Sequence, residues 1–105
     1  MLIEDKELQQ KVMGIYFRMN YFGFGENSPE DVAFVINNKF KVFIDEETMN
    51  NGYSSDKEKI KDLKFLYPYT LHSMDVGRSS STIELEEFPG INFNSVNFKF
   101  CKLSE

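Results

Sequence analysis

Tyr69-Thr70-Leu71-His72-Ser73-Met74-Asp75-Val76-Gly77-Arg78-Ser79-Ser80-Ser81-Thr82-Ile83-Glu84-Leu85-Glu86-Glu87-Phe88 reads as two extended segments joined by a polar turn, and this stretch decides the fold class. Residues 69–76 have strand character, residues 77–81 are turn formers, and in residues 82–88 the apolar Ile83 and Leu85 recur with the period of two that puts them on one face. A short polar connection between two strands makes them antiparallel. Working towards the carboxyl end, Pro89-Gly90 is a turn, after which Ile91 and Phe93 are odd and Val96, Phe98 and Phe100 even. A regular strand would change faces midway, so a β-bulge near Asn94-Ser95 is expected.

Working towards the amino end, Pro68 disfavours helical geometry at the preceding residue and should end a short helix. That helix begins at Ser55-Asp56-Lys57-Glu58, which has capping-box spacing, and carries Ile60, Leu63 and Tyr67 as its buried stripe. Residues 46–54, with Asn50-Asn51-Gly52, read as a loop. Before it, Val32-Ala33-Phe34-Val35-Ile36 is apolar on both sides and rich in β-branched residues, the pattern of an interior strand following a turn at Asn27-Ser28-Pro29-Glu30. Asn37-Asn38-Lys39 reverses the chain, and Phe40, Val42 and Ile44 alternate with Lys41, Phe43 and Asp45 to complete a first hairpin. Residues 4–22 carry Leu8, Val12, Ile15, Met19 and Phe22 on one side of a helix, with Glu4, Asp5 and Glu7 at its positive end, Arg18 near the other, and Gly23 and Gly25 as stops. Gly14 weakens this helix and marks a close approach to a sheet. The order helix, two strands, helix, three strands predicts a single α+β domain over residues 1–105, a mostly antiparallel sheet of about five strands with two helices packed on one face.

The chain has 105 residues, enough for one core without disulfides or a structural metal, and its 11 Phe and 5 Tyr supply the large apolar side chains. Cys101 is the only cysteine, which fits a reducing, cytoplasmic setting, and its Phe-rich surroundings read as a strand holding a structural thiol. Met1-Leu2-Ile3-Glu4-Asp5 lacks the basic start and apolar run of an export signal, and no run is long enough to span a membrane. A net charge of -5 repels phosphate backbones at long range, so direct nucleic-acid or anionic-membrane binding is disfavoured and a basic protein partner favoured.

No motif assembles into catalytic machinery. His72 has Ser73 beside it and Asp75 nearby, but neighbours on a strand point to opposite faces, and there is no Gly-x-Ser-x-Gly elbow. Glu84 and Glu86 would project from one strand face about 7 Å apart, a separation that suits a small inverting hydrolase. Any strand with two alternating acids shows that spacing, so a solvated face accounts for it. One His and one Cys do not make a zinc site, and Asp45-Glu46-Glu47 with Asn50 and Gly52 lacks calcium-loop spacing, so no metal and no cofactor are expected. Gly23-Phe24-Gly25 lacks the third Gly and the preceding strand of a dinucleotide fingerprint. Gly77-Arg78-Ser79-Ser80-Ser81 has the hydroxyls and guanidinium to hold a phosphate but no Lys in Walker spacing, and a hairpin connection explains it.

What remains is acids interleaved with aromatics: Asp45, Glu46 and Glu47, with Tyr53 beyond them, and Glu84, Glu86 and Glu87 beside Phe88. Such residues suit a cationic partner, charge steering the encounter and buried aromatics supplying affinity. They equally serve solubility. In size, acidity and these two clusters, the sequence resembles small bacterial immunity proteins, including those of contact-dependent growth inhibition systems. The resemblance implies a stoichiometric inhibitor, an immunity protein or antitoxin that covers the working surface of a basic toxin, often a nuclease. A structural or adaptor subunit, or a hydrolase using Glu84, Glu86 or His72, are the alternatives.

Overall fold

The computed structural model describes residues 2–22 and 26–102; the predicted helix stops Gly23 and Gly25 lie outside them. The first element is α1, Lys6–Phe22, as the apolar spacing requires, with Leu8, Val12 and Ile15 buried. Asp5 caps it, its carboxylate accepting the Leu8 N–H at 2.9 Å.

The predicted strand at residues 32–36 is instead α2, Pro29–Asn37. Its amino end explains why. Ser28 accepts the Asp31 N–H through its side chain, Pro29 occupies the first turn, where a missing N–H costs nothing, and Glu30 and Asp31 face the helix dipole. These start signals outweigh the β-preference of Val32, Val35 and Ile36. Only one side of the helix is covered: Val35 is buried and Phe34 packs on Phe40 with ring centroids 5.3 Å apart, whereas Ile36 is exposed. The first hairpin therefore loses its first strand.

Its second strand survives as β1, Lys41–Phe43. The expected loop after it contains α3, Glu46–Met49, held by reciprocal bonds between Asp45 and Thr48. Next come α4, Ser54–Ile60, then β2, Tyr69–Val76, β3, Ser81–Leu85, β4, Phe88–Asn94, a 3-10 turn at Ser95–Asn97, and β5, Lys99–Phe100. The helix α4 starts one residue earlier than predicted because Asp56 reaches back to accept the Tyr53 N–H at 2.7 Å. It also ends earlier. Ile60 and Leu63 are buried as expected, but Tyr67 lies beyond the helix and is exposed.

The strands form one antiparallel sheet in the order β4-β3-β2-β1-β5. The hairpin of β2 and β3 is where the sequence placed it, but β3 stops at Leu85 rather than running to Phe88. Glu86 and Glu87 make the turn predicted for Pro89-Gly90, and the latter pair falls inside β4. No bulge at Asn94-Ser95 restores the register. The Asn94 side chain accepts the Val96 N–H at 3.2 Å, the 3-10 turn follows, and the chain crosses to the opposite edge, where β5 pairs with β1. This change of course lets Phe93, Phe98 and Phe100 all be buried while Ile91 and Val96 stay exposed.

The core joins Leu8, Val12 and Ile15 of α1 to Val42, Leu71, Met74, Ile83, Leu85, Phe93 and Phe100 of the sheet. Helix α1 packs across β2 and β5 with α2 alongside, while α4 packs on β4 and α3 on the 3-10 turn. The α+β class and five-stranded antiparallel sheet stand as predicted; the helices number four among the described residues rather than two.

Candidate functional site: an acidic surface with exposed aromatics

The two acidic clusters sit in different surroundings. Glu84 lies on β3 and its carboxylate accepts the Gly90 N–H at 3.2 Å. Glu86 and Glu87 lie in the turn beyond the strand, so Glu84 and Glu86 do not share a strand face. Glu86 pairs with Lys39 at 2.6 Å, and the hydrogen bond from that ammonium lowers its carboxyl pKa. Both Glu87 carboxylate oxygens accept the Thr70 N–H, at 2.9 and 3.0 Å. Phe88 is half-buried, its ring tilted against Tyr69 and edge-to-face with Phe93. This cluster holds the sheet together where β3 turns away from β2.

At Asp45-Glu46-Glu47 a single ammonium faces three carboxylates. Lys99 lies 2.8 Å from Asp45, 3.6 Å from Glu47 and 4.0 Å from Glu4. Burial acts to raise the Asp45 carboxyl pKa, but the hydrogen bonds from Lys99 and Thr48 outweigh it and hold the group below its usual range. Lys99 is raised above its ordinary value, first by its hydrogen bond to Asp45. Glu46 and Glu47 project outward and are exposed.

Beside them runs Phe65-Leu66-Tyr67. All three side chains are exposed, Leu66 to 59%. Phe65 makes a parallel bridge to Ile44 and the Leu66 N–H donates to the Ile44 carbonyl at 2.9 Å, which pins the segment to the end of β1. Leu66 has φ 57, the left-handed region, and among the described residues it is the only non-glycine there. For a leucine that conformation costs about 1–2 kcal/mol. Asp45, Glu46, Glu47, Phe65 and Leu66 enclose a shallow cleft of about 330 Å³. Sequence reading missed Phe65 and Leu66, since nothing local ties residues 65–66 to residues 45–47, and it assigned Tyr67 to a buried stripe.

Tyr53, the remaining predicted contact, is 77% exposed but borders a different cleft, formed with the turn between β2 and β3. His72 is exposed at an irregularity in the β2–β3 pairing and, with Tyr16, Lys39 and Glu86, borders a third cleft of about 320 Å³. Cys101 is buried, and desolvation pushes its thiol up to about 11. Among the described residues no three His, Cys, Asp or Glu side chains are grouped to hold a metal ion, and no helix is long and apolar enough to cross a membrane.

A family model described as bacteriophage T4 protein Y07B matches residues 41–105, more than half of the chain. The chain belongs to the bacteriophage T4 protein Y07B family. The matched region of this family member contains all five strands together with α3, α4 and the acidic surface, and α1 and α2 precede it. No curated protein and no solved structure matches the chain.

Proposed function

We propose that the protein acts by stoichiometric binding, as a non-catalytic module that docks a basic protein partner in the manner of an immunity protein or antitoxin. The observation that carries this reading is the exposed pair Phe65 and Leu66, the leucine in the left-handed conformation, lining one cleft with Asp45, Glu46 and Glu47. Backbone strain persists where surrounding structure enforces it, and such residues concentrate at functional sites. Exposed apolar side chains rimmed by one sign of charge provide both halves of an encounter: steering by the carboxylates and affinity from desolvated apolar anchors. Lys99 compensates only part of the local negative charge, so a cationic surface gains on approach. The acids of the second cluster are engaged within the fold and contribute to the overall field.

The test is affinity purification of the tagged chain from the cells in which it is made naturally, run beside Glu46→Lys/Glu47→Lys and Leu66→Ser. A basic protein held in equimolar amount by the wild type, released by salt and lost with either variant, is the expected result. Equal retention by all three proteins, or no stoichiometric partner, would overturn the reading; circular dichroism of the variants establishes that these exposed substitutions leave the fold intact.

A further inference from the structure

A cleft that shares no lining residue with the acidic surface lies elsewhere on the molecule. It has a volume of about 650 Å³, within the range of small-molecule sites, and its walls come from three parts of the chain: residues 51–53, the turn at residues 77–81, and the corner at residues 94–96, with Met13 of α1 also lining it. Its chemistry runs against the rest of the molecule. In a chain with Asp+Glu 17 and a net charge of -5, no carboxylate-bearing residue lines this cleft among the described residues, and Arg78 is the one charged residue of its lining there. Arg78 makes no ion pair among the described residues; its guanidinium rests 5.7 Å from the centre of the Tyr21 ring. Ser79, Ser80 and Ser81 follow Arg78 along the turn and line the same cleft. The turn that presents them is closed by the Gly77 N–H bonding the Ser80 carbonyl at 2.9 Å.

The opposite wall is fixed in advance. Asn51 donates to the Val96 carbonyl at 3.0 Å, Asn97 donates to the carbonyls of Thr48 and Asn51, and Asp56 accepts from both Tyr53 N–H and Asn94. Gly52, at φ 81, is pressed so close to Asp56 that a Cβ there would lie 2.6 Å from its carboxylate. This bracing fixes the Tyr53 backbone at the rim, and the residue is 77% exposed. A guanidinium and hydroxyls on one wall can hold a phosphate, and an exposed aromatic ring on the other can stack on a planar ring. Screening confines the repulsion from the chain's remote acids to about 8 Å at physiological salt, so the local wall decides which ion enters.

We propose that this cleft binds a small phosphate-bearing ligand with a planar ring, of the nucleoside monophosphate class, its phosphate on Arg78 and residues 79–81 and its ring on Tyr53. The site is separate from the acidic docking surface, and either can fail without the other.

Amide nitrogen–proton NMR spectra of the full chain test it, titrated with each of the four ribonucleoside monophosphates, with adenosine and with inorganic phosphate. At least one nucleotide should move the Gly52, Tyr53, Ser79, Ser80 and Ser81 resonances, with adenosine and phosphate each binding more weakly. Arg78→Ala and Tyr53→Ala should each weaken that binding about tenfold or more, as for loss of one charged contact or one stacked ring. Sodium sulfate should displace the nucleotide more than sodium chloride at equal ionic strength, a check that requires no substitution. Silence from all four nucleotides, shifts that bypass these residues, unchanged affinity in Arg78→Ala, or inorganic phosphate binding as tightly as any nucleotide would overturn it.

Discussion

Asn97 offers the sharpest test of how the fold is held. It is 0% exposed, sits in the 3-10 turn, and its amide donates to the Thr48 carbonyl at 2.8 Å and the Asn51 carbonyl at 3.0 Å. One side chain thus ties the chain's crossover to α3 and to the loop that follows it. Its side-chain amide oxygen has no partner among the described residues, so the donors are what matter. Substituting Ala removes two hydrogen bonds: the Asn51 carbonyl is stranded, at about 1–3 kcal/mol, while the Thr48 carbonyl keeps the Asn51 N–H at 3.1 Å and its lost bond costs about 1 kcal/mol, for a total of roughly 3 kcal/mol. That is a large part of the ~5–15 kcal/mol available to a small domain and corresponds to a fall in Tm on the order of 15 °C. Asn97→Asp should be worse at neutral pH, since a carboxylate facing two carbonyls cannot donate. Burial and those carbonyls raise its folded pKa, so the stability it retains is present at low pH and lost as pH rises through that value. Urea unfolding followed by circular dichroism, at neutral pH and at pH about 4, measures both effects. A loss below about 1 kcal/mol for Asn97→Ala, or an Asp variant indifferent to pH, would refute the assignment.

The Lys99 cluster predicts a pH profile. Asp45 has a depressed pKa, so its contribution is present above its unfolded value of about 4 and is lost as pH falls through the lower folded value. Lys99 has a raised pKa, so its contribution is complete below about 10.4 and is lost as pH rises beyond it. Lys99→Met should cost about 1 kcal/mol at neutral pH, because solvent reaches the cluster, and should flatten the acid limb of the profile; urea midpoints that fall in parallel for the two proteins would dismiss the cluster as a source of stability. Cys101, with its thiol at about 11 and its side chain buried, should react with a disulfide reagent at pH 8 only as fast as the chain opens, and at once in urea. Equal rates in the two solvents would place the thiol at the surface.

The hairpin of β2 and β3 was legible because its apolar alternation and polar turn are local and agree. The helix α2 was misread because two local signals conflicted: Val32-Ala33-Phe34-Val35-Ile36 has strand composition, while Ser28-Pro29-Glu30-Asp31 has the grammar of a helix start. Capping won, since the helix needed only one apolar side to cover α1 and Phe40, and the continuous apolar run overstated burial. The end of β3 was hidden for another reason. Ile83, Leu85 and Phe88 look like one strand with a slip, and only the return of Glu86 and Glu87 to the Thr70 backbone shows that the chain has turned. The crossover of β5 to the far edge depends on pairing with β1 more than fifty residues away, a choice no local pattern contains.

The acids show why charge alone did not locate a surface. Glu84, Glu86 and Glu87 form a dense run, yet each is engaged by a group supplied by the fold: the Gly90 N–H, the Lys39 ammonium and the Thr70 N–H. A carboxylate in a turn accepts where a strand would otherwise have continued, so sequence density of acid measured structural need there. Around Asp45 the same subtraction leaves a remainder. Asp45 is drawn into its cap and Lys99, while Glu46 and Glu47 stay outward beside apolar side chains that residues 65–67 bring from twenty positions along the chain. Bringing them there forces Leu66 into a conformation that glycine would adopt without penalty. Within the chain that cost is offset by the Leu66 N–H bond to the Ile44 carbonyl and the bridge of Phe65 to Ile44, so the backbone is fixed by the fold while the leucine side chain stays exposed beside the outward acids, which is the arrangement the proposed docking surface requires.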